Sequence, residues 1–313
     1  MEIASQHPLV SVAVISYNSA DYILETLESI KAQTYDNIEL VISDDCSSDA
    51  TVELCRKWID GNKSRFVDAR IVESSVNTGQ SGNYNRAFDA CKGDWVKEID
   101  GDDMLLSNCV SDFVEYTRLH PEAKYIFGKI VCFNQDGMQT ESFQDWFDYG
   151  FFSLSQEQQL QRLLYGDNCV PSPGSFYCRH YVADLGVRCD DRVPFLEDHP
   201  KWINLLRKGV RFYLMDKEVA AYRVGNGIST NGRPSVSFFK TSALFDCYYR
   251  YPAWYAKDPD DAVRRIVDVQ VERYQQLLKS EEEAERLRST RAFRLGKRLL
   301  QPFKSISRLW HKD

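Results

Sequence analysis

Read as a string of apolar and polar positions, the chain alternates short β-branched runs with amphipathic stretches. Leu9-Val-Ser-Val-Ala-Val-Ile-Ser16 has the composition of a strand buried on both faces. From Asp21 to Gln33 the spacing of Ile23, Leu24, Leu27 and Ile30 predicts a helix. A second strand, Ile38 to Ile42, runs into Ser43-Asp44-Asp45, and Ser47, Ser48 and Asp49 are N-cap candidates for a helix reaching about Trp58. Strand Val67 to Val72, an Asn77-Thr78-Gly79 turn, a helix from Ser81 to Cys91 and a strand from Trp95 to Ile99 complete the first third. Further on, the pattern predicts a helix over 107–120, a strand over 124–133 and a polar helix near 156–164. Beyond these come a helix after Pro200, strands over 210–215 and from Val219, and a long helix over 261–288. Residues 134–175 carry no clear period; they read as an acceptor-facing wall or as a surface excursion pinned by its aromatics.

Strand and helix alternating at this spacing call for an α/β chain with a single, mostly parallel, Rossmann-like sheet covered by helices on both faces. Ligands of such sheets sit beyond the carboxyl ends of the strands. Ser16-Tyr17-Asn18, Asp44-Asp45, the Asn77–Gly79 turn and Asp100 to Asp103 all fall at or near that edge. There is no G-x-G-x-x-G after the first strand and no P-loop, so any phosphates must be held by side chains and a cation. Gly93-Asp-Trp-Val-Lys-Glu-Ile-Asp-Gly-Asp-Asp-Met104 delivers Asp100, Asp102 and Asp103 together at the end of a strand. Carboxylates this close repel one another, and hard oxygens in this arrangement suit Mn²⁺ or Mg²⁺; the competing reading is an acidic, solvated turn. Lys97 and Glu98 stand inside that otherwise buried strand, either paired with neighbours or near the ligand.

Composition narrows the class. With 313 residues and 43% apolar content the chain is globular and long enough for one large domain with an annex. A net charge of −7 argues against a nucleic-acid partner. Nine cysteines without a C-x-x-C pair fit reduced thiols in a cytosolic protein. No signal peptide and no apolar run of about 18 residues is visible, which predicts a cytoplasmic location. Residues 289–313 reverse the charge: seven Lys or Arg face one acid, and Ala292-Phe293, Leu295, Leu299-Leu300, Phe303, Ile306 and Leu309-Trp310 recur every three to four residues. That basic amphipathic tail fits an anionic membrane surface; the alternative is a helix folded back on the protein's own acidic body.

Taken in order, Val12-Ala-Val-Ile-Ser-Tyr-Asn18, Ile38-Glu-Leu-Val-Ile-Ser-Asp-Asp45, Asn77-Thr-Gly79 with Asn85, Asp100-Gly-Asp-Asp103 and Phe195-Leu-Glu-Asp198 resemble glycosyltransferase family 2, inverting enzymes of GT-A fold. The likeness covers roughly residues 9 to 230. It implies a nucleotide-sugar half (about 9–105) and an acceptor half (about 106–230), followed by a helical extension (231–288) and the tail. By that resemblance Ser16, Tyr17, Asn18, Asp44, Asn77, Gly79, Asn85, Asp100 and Arg223 contact the donor. Tyr17 and Asp44 lie against the base, Asp100 reaches for the ribose, and Asp102 with Asp103 binds the metal. Asp198 takes the proton from the acceptor hydroxyl and Glu197 orients it.

The residues leave structural readings open beside these. Tyr17 also fits a buried aromatic, Asp45 a helix-capping turn, Asn77 and Gly79 plain turn formation, and Asn85 a satisfied amide. Glu197 and Asp198 suit a helix N-terminus, and Arg223 either phosphate or a core carboxylate. Gly225 stands where the family often has a His that helps hold metal or diphosphate. The resemblance implies a UDP-sugar donor and a lipid-linked glycan acceptor, met by a protein peripheral on the cytoplasmic face of the plasma membrane, with the long helix free to cap the domain or meet a second subunit. A sugar-1-phosphate nucleotidylyltransferase and a non-catalytic nucleotide-binding scaffold are the rival readings.

Overall fold

The computed structural model describes residues 7–134, 147–224 and 236–289. Gly225 and the basic tail beyond Ser289 lie outside the described residues, as does the first part of the aromatic-rich stretch after Phe133.

The apolar runs form strands as their composition requires. β1 (Val10–Ser16) and β2 (Ile38–Asp44) are buried at every position, which is why neither alternates. With β3 (Asp68–Glu73) and β4 (Trp95–Asp100) they pair in parallel, β1 lying between β2 and β4. Helices α1 (Ile23–Lys31), α2 (Thr51–Asn62) and α3 (Gly79–Ala90) connect them. Leu24 departs from its expected place in the core of α1: it is 40% exposed, because the buried stripe is set by Ile23, Thr26, Leu27 and Ile30.

The second half extends the same sheet. β5 (Met104–Leu105), α4 (Cys109–Leu119), β6 (Tyr125–Phe133), α5 (Gln156–Tyr165), β7 (Ser175–Cys178), α6 (Arg179–Asp184), α7 (Asp198–Arg207) and β8 (Tyr213–Arg223) follow. Among the described residues the strand order is β3-β2-β1-β4-β7-β6-β8-β5. β7 runs antiparallel to both β4 and β6, and β5 antiparallel to β8, so the parallel character is complete only in the first half. The two strands expected over 210–215 and from Val219 are, as far as Arg223, one strand, β8, whose pairing with β6 slips at Gly128–Ile130; the expected continuation over 225–229 lies outside the described residues. The four-residue β7 and the two-residue β5 are too short for a period to reveal.

Rings fill the joint between the halves. Phe113 stacks on Phe176, and Phe176 on Trp95, while Phe127 meets Phe152, Trp202 and Phe212. Phe151 and Phe152, in a 3-10 turn over Tyr149–Ser153, are buried, so this part of the unreadable stretch is pinned by its aromatics. α8 (Val236–Phe245) and the turn through Arg250 belong to the first compact unit, which runs on past residue 230 to Arg250. The second unit holds α9 (Tyr251–Lys257) and α10 (Pro259–Ser289), two residues longer at its start than the spacing predicts.

Candidate active site

Register delivers the first cluster. Ser16 pairs with Asp44 across β1 and β2, and Ile15 with Asp100 across β1 and β4, so all end at one edge. Tyr17, immediately beyond, is 50% exposed and offers its ring to solvent rather than to the core. Asn18 adopts a left-handed φ of 50°, and its side-chain oxygen accepts from Ser48 N at 2.8 Å. Asp44 is buried; it accepts from Ser16 Oγ at 3.1 Å, Ser47 Oγ at 2.6 Å and Ser47 N at 2.8 Å. Ser47 and Ser48 thus shape this loop with Asn18 and Asp44 instead of capping α2.

Asp45 does cap a helix, but the one after next. Its carboxylate accepts from Thr78 N (2.9 Å), Thr78 Oγ1 (2.6 Å) and Gly79 N (2.8 Å) at the start of α3, and from Arg86 at 2.9 Å. Asn77 Oδ1 also accepts from Gly79 N, forming the expected turn. Gly79 has φ +80°, and a Cβ there would stand 3.0 Å from Pro194 Cβ. Ser81 donates through N to Pro194 O (3.0 Å) and through Oγ to Val193 O (3.1 Å). The start of α3 therefore holds the segment that leads into Glu197 and Asp198. Asn85 extends this clamp with a two-way bond to Cys189, the satisfied-amide reading.

At the end of β4 the three aspartates separate by environment. Asp100 and Asp102 are half-buried, and Tyr84 donates to Asp100 at 2.9 Å. Burial, then the charge of Asp102, pushes the Asp100 carboxyl up to about 7, and burial raises Asp102 as well. Asp103 is wholly buried: Oδ1 accepts Arg223 N at 2.8 Å and Oδ2 has no partner. Its place is beneath the site rather than beside Asp102 on the surface of it. Arg223 donates from Nε to Asp102 O (2.9 Å) and from Nη2 to Glu25 (2.6 Å), and it lies over the Tyr22 and Phe133 rings. It is the carboxylate-paired alternative, a brace under Asp102.

The second cluster opens α7. Glu197 is buried and Asp198 half-buried; Pro200 sits in the first turn, where its missing N–H costs nothing. Asp198 Oδ2 accepts Asn168 Nδ2 at 2.8 Å and Oδ1 accepts His199 N at 2.5 Å. Burial raises both carboxyls, Glu197 well above the usual range with Asp198 and Asp100 adding to it. Asp198 in turn raises Asp100. Tyr84, which donates to Asp100, lines one recess with Glu197 and Asp198, which brings the end of β4 near the start of α7. His199 is buried, bonded through Nε2 to Leu163 O at 2.9 Å and stacked against Phe245, a structural helix-start residue.

Three participants escaped the sequence reading: Tyr84 on Asp100, Asn168 on Asp198, and Lys201, whose Nζ lies 2.9 Å from Glu98 Oε2. Tyr177 OH also donates to Glu98 at 2.6 Å, while Lys97 donates to two carbonyls, Glu98 O and Pro173 O. The charges inside β4 are thus paired with neighbours. A lysine at a buried position of an amphipathic helix, facing a glutamate inside an apolar strand, was the available signal for Lys201.

Among the described residues no group of three or more His, Cys, Asp or Glu is arranged to enclose a metal. Asp100 and Asp102 nevertheless fit a hard cation that draws its remaining ligands from a diphosphate and water, the usual pattern for Mg²⁺. Burial raises both carboxyls and the charge of Asp102 raises Asp100 further, so a cation placed against them would be stabilised.

The model of glycosyl transferase family 2 matches residues 11–186, more than half of the chain. The chain is 29% identical over 227 residues to the UDP-Glc:α-D-GlcNAc-diphosphoundecaprenol β-1,3-glucosyltransferase WfaP of Escherichia coli, covering 71% of this chain and 80% of that protein. It is 28% identical over 230 residues to TuaG of Bacillus subtilis strain 168, named as a candidate teichuronic acid biosynthesis glycosyltransferase, covering 72% and 82%. Among solved structures, S. aureus TarS 1–349 in complex with UDP-GlcNAc superposes with a TM-score of 0.58 at 19% identity, over 76% of this chain and 65% of that one. The Pyrobaculum calidifontis mannosyltransferase PcManGT, in complex with GDP-Man and Mn²⁺, gives 0.56 at 16% identity over 98% and 88%. These last two likenesses carry the fold.

Proposed function

This chain belongs to glycosyl transferase family 2, and on that premise we propose that it moves a sugar, with inversion, from a UDP-sugar to a hydroxyl of a lipid-linked glycan in surface-polysaccharide synthesis. The observation that supports the reading is that Tyr84, which donates to Asp100 at the donor edge, lines the same recess as Glu197 and Asp198 from the start of α7. The lipid-linked acceptor is suggested by the substrate in WfaP's name, and the nucleotide by that name and by the UDP-GlcNAc bound in TarS.

In this mechanism Tyr17 stacks on the base, and the loop shaped by Asp44, Asn18 and Ser16 receives it. A divalent cation, Mn²⁺ or Mg²⁺, held by Asp102 and Asp100 would supply Lewis-acid neutralisation of the departing diphosphate. Asp198, fixed by Asn168 and the His199 N–H, accepts the acceptor hydroxyl's proton as that oxygen attacks the anomeric carbon. Its raised carboxyl makes it a stronger base than an ordinary aspartate. Glu197 orients the acceptor. One displacement from the face opposite the leaving group inverts configuration without a protein nucleophile.

No helix among the described residues is long and apolar enough to cross a membrane. Residues 289–313 are the proposed anchor to the cytoplasmic face of the membrane. A thermal-shift screen of UDP-, GDP- and dTDP-sugars with Mn²⁺, followed by NMR of the product's anomeric centre, tests the proposal. Stabilisation by a UDP-sugar and inversion are expected; retention of configuration, or no response to any nucleotide sugar, would refute it.

A further inference from the structure

The buried ion pair between α7 and β4 has no part in the scheme above. Lys201 follows Asp198 by three residues and so shares its face of the helix. Its ammonium bonds both oxygens of Glu98, at 2.9 and 3.2 Å, and lies over the rings of Tyr177 and Tyr84. Glu98 is two residues before Asp100 on the same strand, and Tyr84 donates to Asp100. Between these groups Glu98, Glu197, Asp198, Lys201 and Tyr84 line a recess of about 10 Å³, the room of one water.

We infer that Lys201 is a positioning residue for the transfer reaction: anchored on Glu98, its ammonium locks the helix carrying Asp198 onto the strand carrying Asp100 and sets a positive charge beside the base. The inference rests on the reaction proposed above. The groups facing Asp198 are mostly acidic or neutral: Asp100 and Glu98 from β4, Tyr84 from α3, Tyr125 from β6, Cys189 and the adjacent Glu197. Lys201 is the cation set among them. It lowers both Glu197 and Asp198 against the pull of burial, and its own ammonium is held charged by Glu98 together with Tyr125 and Cys189. A buried ion pair adds little to stability over an apolar pair of the same shape, so its value here lies in the field and the alignment it gives the base.

Two single variants of opposite sign test this. Lys201→Met removes the cation at nearly constant volume, and Glu98→Gln leaves the cation unbalanced while keeping a partner for Tyr177. Asp198 is followed by ¹³C-carboxyl NMR titration of the full chain, its resonance assigned with Asp198→Asn, and by the acid limb of donor turnover against pH. Lys201→Met should move the Asp198 titration and the acid limb upward by about one unit, lowering kcat about tenfold near neutral pH with donor KM within twofold. Glu98→Gln should move both downward, and Lys201→Arg should restore the wild-type limb. If Lys201→Met does not fold, the direction of the Glu98→Gln shift decides alone. Titrations unmoved, or moved the same way in both folded variants, would overturn the inference. A wild type inert towards every donor would instead remove the transfer reading, leaving the NMR result to stand on its own.

Discussion

Replacing Gly79 by alanine and Gly61 by alanine makes the same chemical change at two helical positions, with opposite consequences. Gly79 has φ +80°, where an L side chain costs about 1–2 kcal/mol. Its new Cβ would also meet Pro194 Cβ at 3.0 Å and Pro194 O at 3.2 Å. That carbonyl is held by Ser81 N, so it cannot withdraw without stretching the bond that seats the Glu197–Asp198 segment. The sum is roughly 2 kcal/mol of destabilisation, or about 4–8 °C in Tm at about 2–4 °C per kcal/mol. Gly61, inside α2, has ordinary φ and nothing within 4 Å of a built Cβ. Alanine there should stabilise by about 0.5–1 kcal/mol through reduced backbone freedom in the unfolded chain. Thermal unfolding followed by circular dichroism reads both. A Gly79→Ala protein as stable as wild type, or a pair shifting in the same direction, would refute the claim that this turn's conformation and its contact with Pro194 set the approach to the site.

Other consequences can be checked with single substitutions. His199 is buried neutral, its pKa lowered by burial to about 3 from 6.5. The unfolded chain therefore binds the extra proton between those values, so its contribution is complete above pH 6.5 and falls by about 1.4 kcal/mol per unit as pH drops towards 3. His199→Gln should flatten that part of the stability–pH curve relative to wild type, measured by denaturant titration; parallel curves would contradict it. Tyr17→Ala removes an exposed ring and should weaken UDP binding by roughly 1 kcal/mol, about fivefold in Kd by calorimetry, without altering Tm. Deleting 289–313 should release the protein from anionic vesicles in a flotation assay while leaving nucleotide affinity as it was.

The order of elements in the first third was legible because strands buried on both faces are continuous apolar runs, and the helices between them keep one clean stripe. The edge on which Ser16, Asp44 and Asp100 gather followed from that order alone. β5 and β7 were not legible: two and four residues carry no period, and β7 reverses direction for reasons of tertiary packing. Roles were harder to read than places. Nothing in a sequence distinguishes an aspartate that binds a ligand from one that ties a loop, and Asp45, Asp103 and Arg223 each make structural bonds to partners 33 to 198 residues away. Lys97 and Glu98 looked out of place in an apolar strand because their partners, two carbonyls and Lys201, come from later in the chain.

Donor binding and donor turnover measured on Asp102→Asn and Asp198→Asn, each with and without Mn²⁺, test most directly whether the two carboxylate groups serve one reaction from opposite sides. Asp102→Asn should lose the Mn²⁺-dependent part of UDP-sugar affinity. Asp198→Asn should bind donor with a Kd within about twofold of wild type and turn over about 10²–10⁴-fold more slowly, the range for a removed general base. Full turnover by Asp198→Asn, or unchanged metal-dependent binding by Asp102→Asn, would contradict the account.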